Sequence, residues 1–125
     1  MEATEVRKLT RLEDRHWWYR ERRRLLARAV ARIPPGVALD VGAAGGGNTR
    51  VLRELGWKAA ALEFGVEGAW VCRQRGVPVI RADAMRLPVG PRELDLVVAF
   101  DVLEHLDDDA AAARSVFETL RPGGA

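Results

Sequence analysis

With 125 residues, 48% of them hydrophobic and 30% charged, the chain has the composition of one soluble globular domain. Its one cysteine, Cys72, excludes an intrachain disulfide; no apolar run approaches the ~20 residues of a membrane-spanning helix; and MEATEVRKLTRLEDR lacks the apolar core of a secretory signal, so the expected setting is cytoplasmic. The formal charge of +2 is unevenly spread, with ten Arg/Lys against five Asp/Glu in residues 1–33 and ten against thirteen in the remainder.

Residues 4–15 place Val6, Leu9 and Leu12 on one helical stripe. After HWWYR, the apolar positions Leu25, Leu26, Ala29, Val30 and Ile33 continue with helical spacing. Pro34-Pro35-Gly36 ends that helix, because proline lacks an N–H and restricts the residue before it. Residues 1–36 therefore read as a helical arm and residues 37–125 as the body. The basic arm is either a solvated arginine-rich face or a surface for nucleic acid or an acidic partner. No nucleic-acid-binding motif accompanies it, which disfavours the second reading.

The body alternates. Residues 37–41 form a short apolar run, after which Asn48 is expected to cap a helix carrying Val51, Leu52 and Leu55 and ending at Gly56. Residues 58–62 form a second run, followed by a helix with Val66, Ala69 and Trp70 that ends at Gly76. Residues 77–80 form a third run. Residues 94–100 form a fourth, apolar enough for a strand buried on both faces. Asp107-Asp108-Asp109 then supplies cap and charge for a helix with Ala113, Val116, Phe117 and Leu120 inward. Such alternation implies a doubly wound, Rossmann-like α/β parallel sheet.

In these sheets ligands sit beyond the carboxyl ends of the strands. Asp40, Glu63, Asp83 and Asp101 stand at or just past the four strand ends, and clustered carboxylates cost stability unless a donor or a cation joins them. A dinucleotide is one candidate ligand, since residues 42–47 approach G-x-G-x-x-G and Glu63 has the spacing of a ribose-binding acid. Asp40 opposes it, because the same site would face a pyrophosphate with a carboxylate. S-adenosylmethionine (SAM), with two ribose hydroxyls, an exocyclic amine, a sulfonium and an ammonium, suits the acids better.

LDVGAAGGG, AALEF, RADAMRLPV, ELDLVVAFDVLEHLDD and FETLRPGG follow one another in the order of the motifs of class I SAM-dependent methyltransferases, and residues 37–124 resemble that family. The resemblance implies a fold of seven strands, of which this chain carries four, and a SAM site built from Asp40, Gly42, Ala44, Gly46, Glu63, Phe64, Asp83, Ala84 and Asp101. In that site Glu63 accepts from the ribose, Asp83 reaches the adenine amine and Ala84 offers backbone contacts. Ala44 stands where the family's middle glycine sits, a departure that matters only if the position needs a positive φ.

HWWYRERRR resembles the N-terminal element that closes over the cofactor in some of these enzymes. Trp17, Trp18 or Tyr19 then either roofs the site or packs the arm onto the body, and Arg20 is the candidate for the SAM carboxylate. Trp57, Trp70 and Cys72 are assigned to packing. Glu104 and His105 are candidate bases for a hydroxyl acceptor, with local structural roles as the alternative. His16 and His105 lack the companions of a metal site.

The expected reaction is in-line transfer of a methyl group to a small-molecule acceptor, driven by alignment and exclusion of water. The alternatives are a SAM-binding module without catalysis and an NAD-type oxidoreductase domain. Because the chain stops where the family's fifth strand begins, the body is expected to be incomplete. Its fourth strand would then be a bare apolar edge open to pairing with a second copy.

Overall fold

A computed structural model describes residues 2–125 of the chain. Helices α1 (Ala3–Glu13) and α2 (Trp17–Val30) come first. His16 caps α2, its side chain accepting from the Trp18 N–H. From Val37 onward come β1 (Val37–Val41), α3 (Gly47–Glu54), β2 (Lys58–Glu63), α4 (Val66–Gln74), β3 (Val79–Arg81), β4 (Leu96–Val98) and α5 (Asp109–Thr119). The four strands are parallel in the order β3-β2-β1-β4, as the alternation of apolar runs and helices predicts. The chain steps outward from β1 to β3 and then returns to lay β4 on the other side of β1, so the winding reverses between β1 and β4.

The two-residue period of the strands divides the core. Ala38, Ala59, Leu96 and Val98 pack with Leu52 of α3 and with Leu26 and Val30 of α2. Leu39, Val41 and Leu62 lie in a second cluster, against which Val116 and Leu120 pack. Both faces of the sheet are therefore covered, which is why its strands read as nearly continuous apolar runs. Trp57 closes the first cluster and is 3% exposed, in agreement with its packing role.

Several local expectations are corrected. Gly46, at φ 77°, is the N-cap of α3, and Asn48 lies inside the first turn rather than capping it. Trp70 is 53% exposed, because α4 turns Gly68, Ala69, Val71 and Cys72 inward and that small-residue face leaves no room for an indole. In α5, Ala112 and Thr119 are buried, whereas Ala113 is exposed and Phe117 is 79% exposed. The alanine run from 110 to 113 offers the same side chain on every face, so periodicity there does not determine the helix phase. β3 starts two residues later than expected, and β4 is three residues long.

The outer side of β4 is not bare. The Val97 N–H donates to the Ala125 carbonyl at 2.8 Å and the Ala125 N–H donates to the Asp95 carbonyl at 3.1 Å. Leu94 bridges Leu120 in the same parallel sense. Pairing with a second copy was expected from a free edge that these bonds partly occupy. Asp95 closes the base of the sheet, accepting from the Val37 N–H at 2.8 Å and from Arg121 at 3.0 Å.

Candidate functional site

The reversal between β1 and β4 leaves a crevice beyond their carboxyl ends, where open α/β sheets hold ligands. The loop 42–47 crosses it. The Gly42 N–H is anchored on the Leu62 carbonyl at 2.9 Å and the Gly46 N–H on the Ala43 carbonyl at 2.8 Å. Gly42 lines two cavities. One, of about 420 Å³, is bordered also by Glu63, Phe64, Asp83, Ala84 and His105. The other, of about 110 Å³, is bordered by Glu13, Tyr19, Arg22, Arg23, Ala44 and Asp101. A larger cavity, about 780 Å³, lies beside α5 around Leu87, Phe117 and Pro122, away from the strand-end acids.

Asp40 lies in neither lining. Strand alternation puts its side chain on the face of Ala38, beneath α3, where it is 1% exposed and its Oδ2 accepts from Thr49 Oγ1 at 2.7 Å. Burial pushes its carboxyl up to about 7, with the nearby charges of Glu63 and Glu13 adding to the rise and the Thr49 hydroxyl opposing it. Asp40 therefore ties the end of β1 to the first turns of α3.

Glu63, on the same strand face as Ala61, is turned toward the loop. Its carboxylate accepts from the Ala44 N–H, and burial raises its proton affinity against that hydrogen bond. Ala44 itself has φ 48°. The position does require the left-handed conformation, so the alanine is a strained substitute for glycine. Asp83 lines the larger of the two crevice cavities and folds its own loop, its Oδ1 accepting from the Met85 N–H at 2.9 Å. Phe64 stands 74% exposed at the same cavity's rim.

On the other side of Gly42, Asp101 has φ 54° and pairs with Arg22, whose guanidinium lies 5.0 Å from the centre of the Phe100 ring. Arg20 is exposed and lines neither cavity. It stands about 100° round α2 from Tyr19, whereas Tyr19, Arg22 and Arg23 share one face. That face was legible in principle: Leu26 marks the inward side of α2, and Arg23, Arg22 and Tyr19 precede it by three, four and seven residues. Trp17 and Trp18 are 68% and 50% exposed and line neither cavity. Of the candidate bases, His105 lines the cavity of Asp83, while Glu104 is exposed on the turn Leu103–His105 and lines neither.

The chemistry is divided accordingly. One cavity presents carboxylates and backbone to a neutral, hydroxyl- and amine-bearing ligand. The other presents two guanidiniums with the carboxylates of Glu13 and Asp101, a mixed set that suits a zwitterion.

Comparison with known proteins places the chain in a family. Residues 39–125 match the family described as methyltransferase domain. A demethylmenaquinone methyltransferase of Corynebacterium urealyticum is 34% identical over 113 residues, covering 90% of this chain and 46% of that protein. The chain thus spans about half the length of the curated relatives it matches. A Methanococcus maripaludis protein classed with the SAM-dependent methyltransferases superposes with a TM-score of 0.88 at 15% identity, over 98% of this chain and 61% of that one. The glycopeptide N-methyltransferase MtfA, solved with SAM, superposes with a TM-score of 0.71 at 24% identity, over 82% and 47%.

Proposed function

Because the chain belongs to the class I SAM-dependent methyltransferase family, we propose that its crevice holds SAM and that the protein transfers the cofactor's methyl group to a small-molecule acceptor. The observation that carries this reading is the pair of unlike cavities meeting at Gly42. The nucleoside fits the cavity of Glu63, Asp83 and Ala84, and the amino-acid head fits the cavity of Tyr19, Arg22, Arg23 and Asp101. A pyrophosphate has no such division of charge, and Asp101 and Glu63 would oppose it.

When bound, the cofactor supplies an electrophilic methyl group on a sulfonium centre. The chain's own residues supply position. Arg22, released from Asp101, forks onto a carboxylate while Asp101 takes an ammonium, so one ion pair exchanges for two. Glu63 has Oε2 to offer the ribose hydroxyls while Oε1 holds the Ala44 N–H. Asp83 has a second oxygen to offer the adenine amine, beside the backbone of Ala84. Tyr19 excludes water from the second cavity. Since displacement at sulfonium disperses charge, alignment and desolvation suffice without an obligatory acid or base. His105, on the nucleoside side, is placed to orient a ligand edge.

Calorimetric titration with SAM and with NAD tests the reading. SAM binding with no NAD binding supports it; tight NAD binding without SAM binding overturns it. The relative from Corynebacterium urealyticum is named for demethylmenaquinone, which makes that compound the first acceptor to assay. SAM binding without turnover on any small acceptor would instead favour a binding module.

A further inference from the structure

Helix α1 buries a single apolar residue, Val6, and so has little hydrophobic hold on the body. Ion pairs hold it. Arg7 pairs with Glu67 of α4, Asp14 pairs with Arg50 of α3 at 2.6 Å, and Glu13 pairs with Arg75 at 2.6 Å. The first two have one partner or both well exposed and contribute little. The third has side chains only 12% and 17% exposed.

That third pair is also wired into the glycine loop. Arg75 Nη1 donates to Glu13 Oε2 and, at 3.0 Å, to the Gly45 carbonyl, while Nη2 donates to the Thr10 carbonyl at 2.9 Å. Glu13 Oε1 accepts from the Gly47 N–H at 3.1 Å, at the start of α3, where the helix dipole favours a negative charge. A side chain at 45 or 47 would have to displace the Glu13 carboxylate. A Cβ on Gly45 would stand 2.7 Å from Glu13 Oε2, and one on Gly47 would stand 2.3 Å from Oε1. Two glycines that read as a ligand cradle in sequence are therefore spaced for a carboxylate of the chain's own arm.

We propose that Glu13 and Arg75 are positioning residues that latch the arm to the loop 42–47, so that arm docking and cofactor affinity are one coupled equilibrium. The coupling rests on the SAM site proposed above, but the latch itself does not. With Glu13 seated, the loop holds Ala44 in its left-handed conformation next to Glu63, Leu9 and Glu13 border the second cavity, and Arg23 Nη1 donates to the Glu13 carbonyl at 2.7 Å. With Glu13 withdrawn, the loop loses its anchor at Gly47, Arg75 loses its carboxylate partner, and the second cavity loses one wall. Linkage then requires that SAM tighten the arm by the same factor by which the arm tightens SAM.

Hydrogen exchange tests the latch without any ligand. In E13Q and R75Q, amides of α1 and of residues 45–47 should both lose protection by about tenfold, with β1 and β2 amides unchanged. The double variant should be no looser than either single one. Gly47→Ala keeps every charge and favours helix, yet should produce the same release by displacing Glu13. In titrations, each variant should weaken SAM about tenfold, and SAM should protect α1 amides in the wild type by a matching factor. Release of α1 with an unchanged loop, additive singles, or an inert Gly47→Ala would each overturn the latch. Loss of both protections with unaltered SAM affinity would overturn the coupling. A wild type that binds no SAM would instead sink the functional reading, leaving the exchange data to decide the latch.

Discussion

Thr49 Oγ1 donates to Asp40 Oδ2 at 2.7 Å inside the protein, so the acid near the end of the first strand is held by the helix above it. Its carboxyl is pushed up to about 7 by burial. A raised carboxyl binds its proton more tightly folded than unfolded, so the folded state is stabilised at low pH. That advantage is lost as pH rises from about 4, the unfolded value, through about 7. Melting temperature should therefore fall between about pH 4 and pH 7 in the wild type. Asp40→Asn should flatten that slope, and an equally steep slope in the variant would remove the assignment.

Ala44 sits at φ 48°, where a side chain costs about 1–2 kcal/mol against glycine. Glycine gives back part of that in unfolded-chain entropy, so Ala44→Gly should stabilise the fold by about 0.5–1 kcal/mol. Urea unfolding checks this. A loss of stability would mean that the methyl group packs usefully.

Arg22 and Arg20 are two residues apart and make opposite predictions. Arg22 lines the small cavity and pairs with Asp101, whereas Arg20 faces solvent. Arg22→Ala should weaken SAM by about tenfold, while Arg20→Ala leaves it unchanged within error. Calorimetry on both variants decides between them, and the reverse ranking would restore the assignment drawn from sequence.

The tryptophans separate in the same way. Trp57 is 3% exposed in the cluster of Leu26, Leu52 and Leu96, and Trp57→Ala should cost about 3–5 kcal/mol. Trp70 is 53% exposed, and Trp70→Ala should change stability by less than about 0.5 kcal/mol. Equal effects in denaturant titrations would contradict the orientation of α4.

Much of the fold was legible because the information is local. The runs at 37–41 and 58–62 are apolar, proline and glycine punctuate them, and helical spacing fills the stretches between, so order and parallel pairing follow. The acids at strand ends were legible as a set because α/β topology brings strand termini together whatever the side chains do. Their individual orientations follow from alternation: Asp40 shares a face with Ala38, and Glu63 with Ala61, which directs both toward the loop and its helix.

Other features depend on separations that no local pattern spans. Glu13 meets Gly47 across 34 positions and Arg75 across 62. The phase of α5 is decided by what it packs against, since its alanines are equivalent to one another. The sequence by itself determined a doubly wound sheet with a glycine loop and acids at its active edge. Tertiary structure decided which groups line the crevice and which bond to the chain itself, because the phase and docking of a helix are set by what it packs against, a sum over distant contacts.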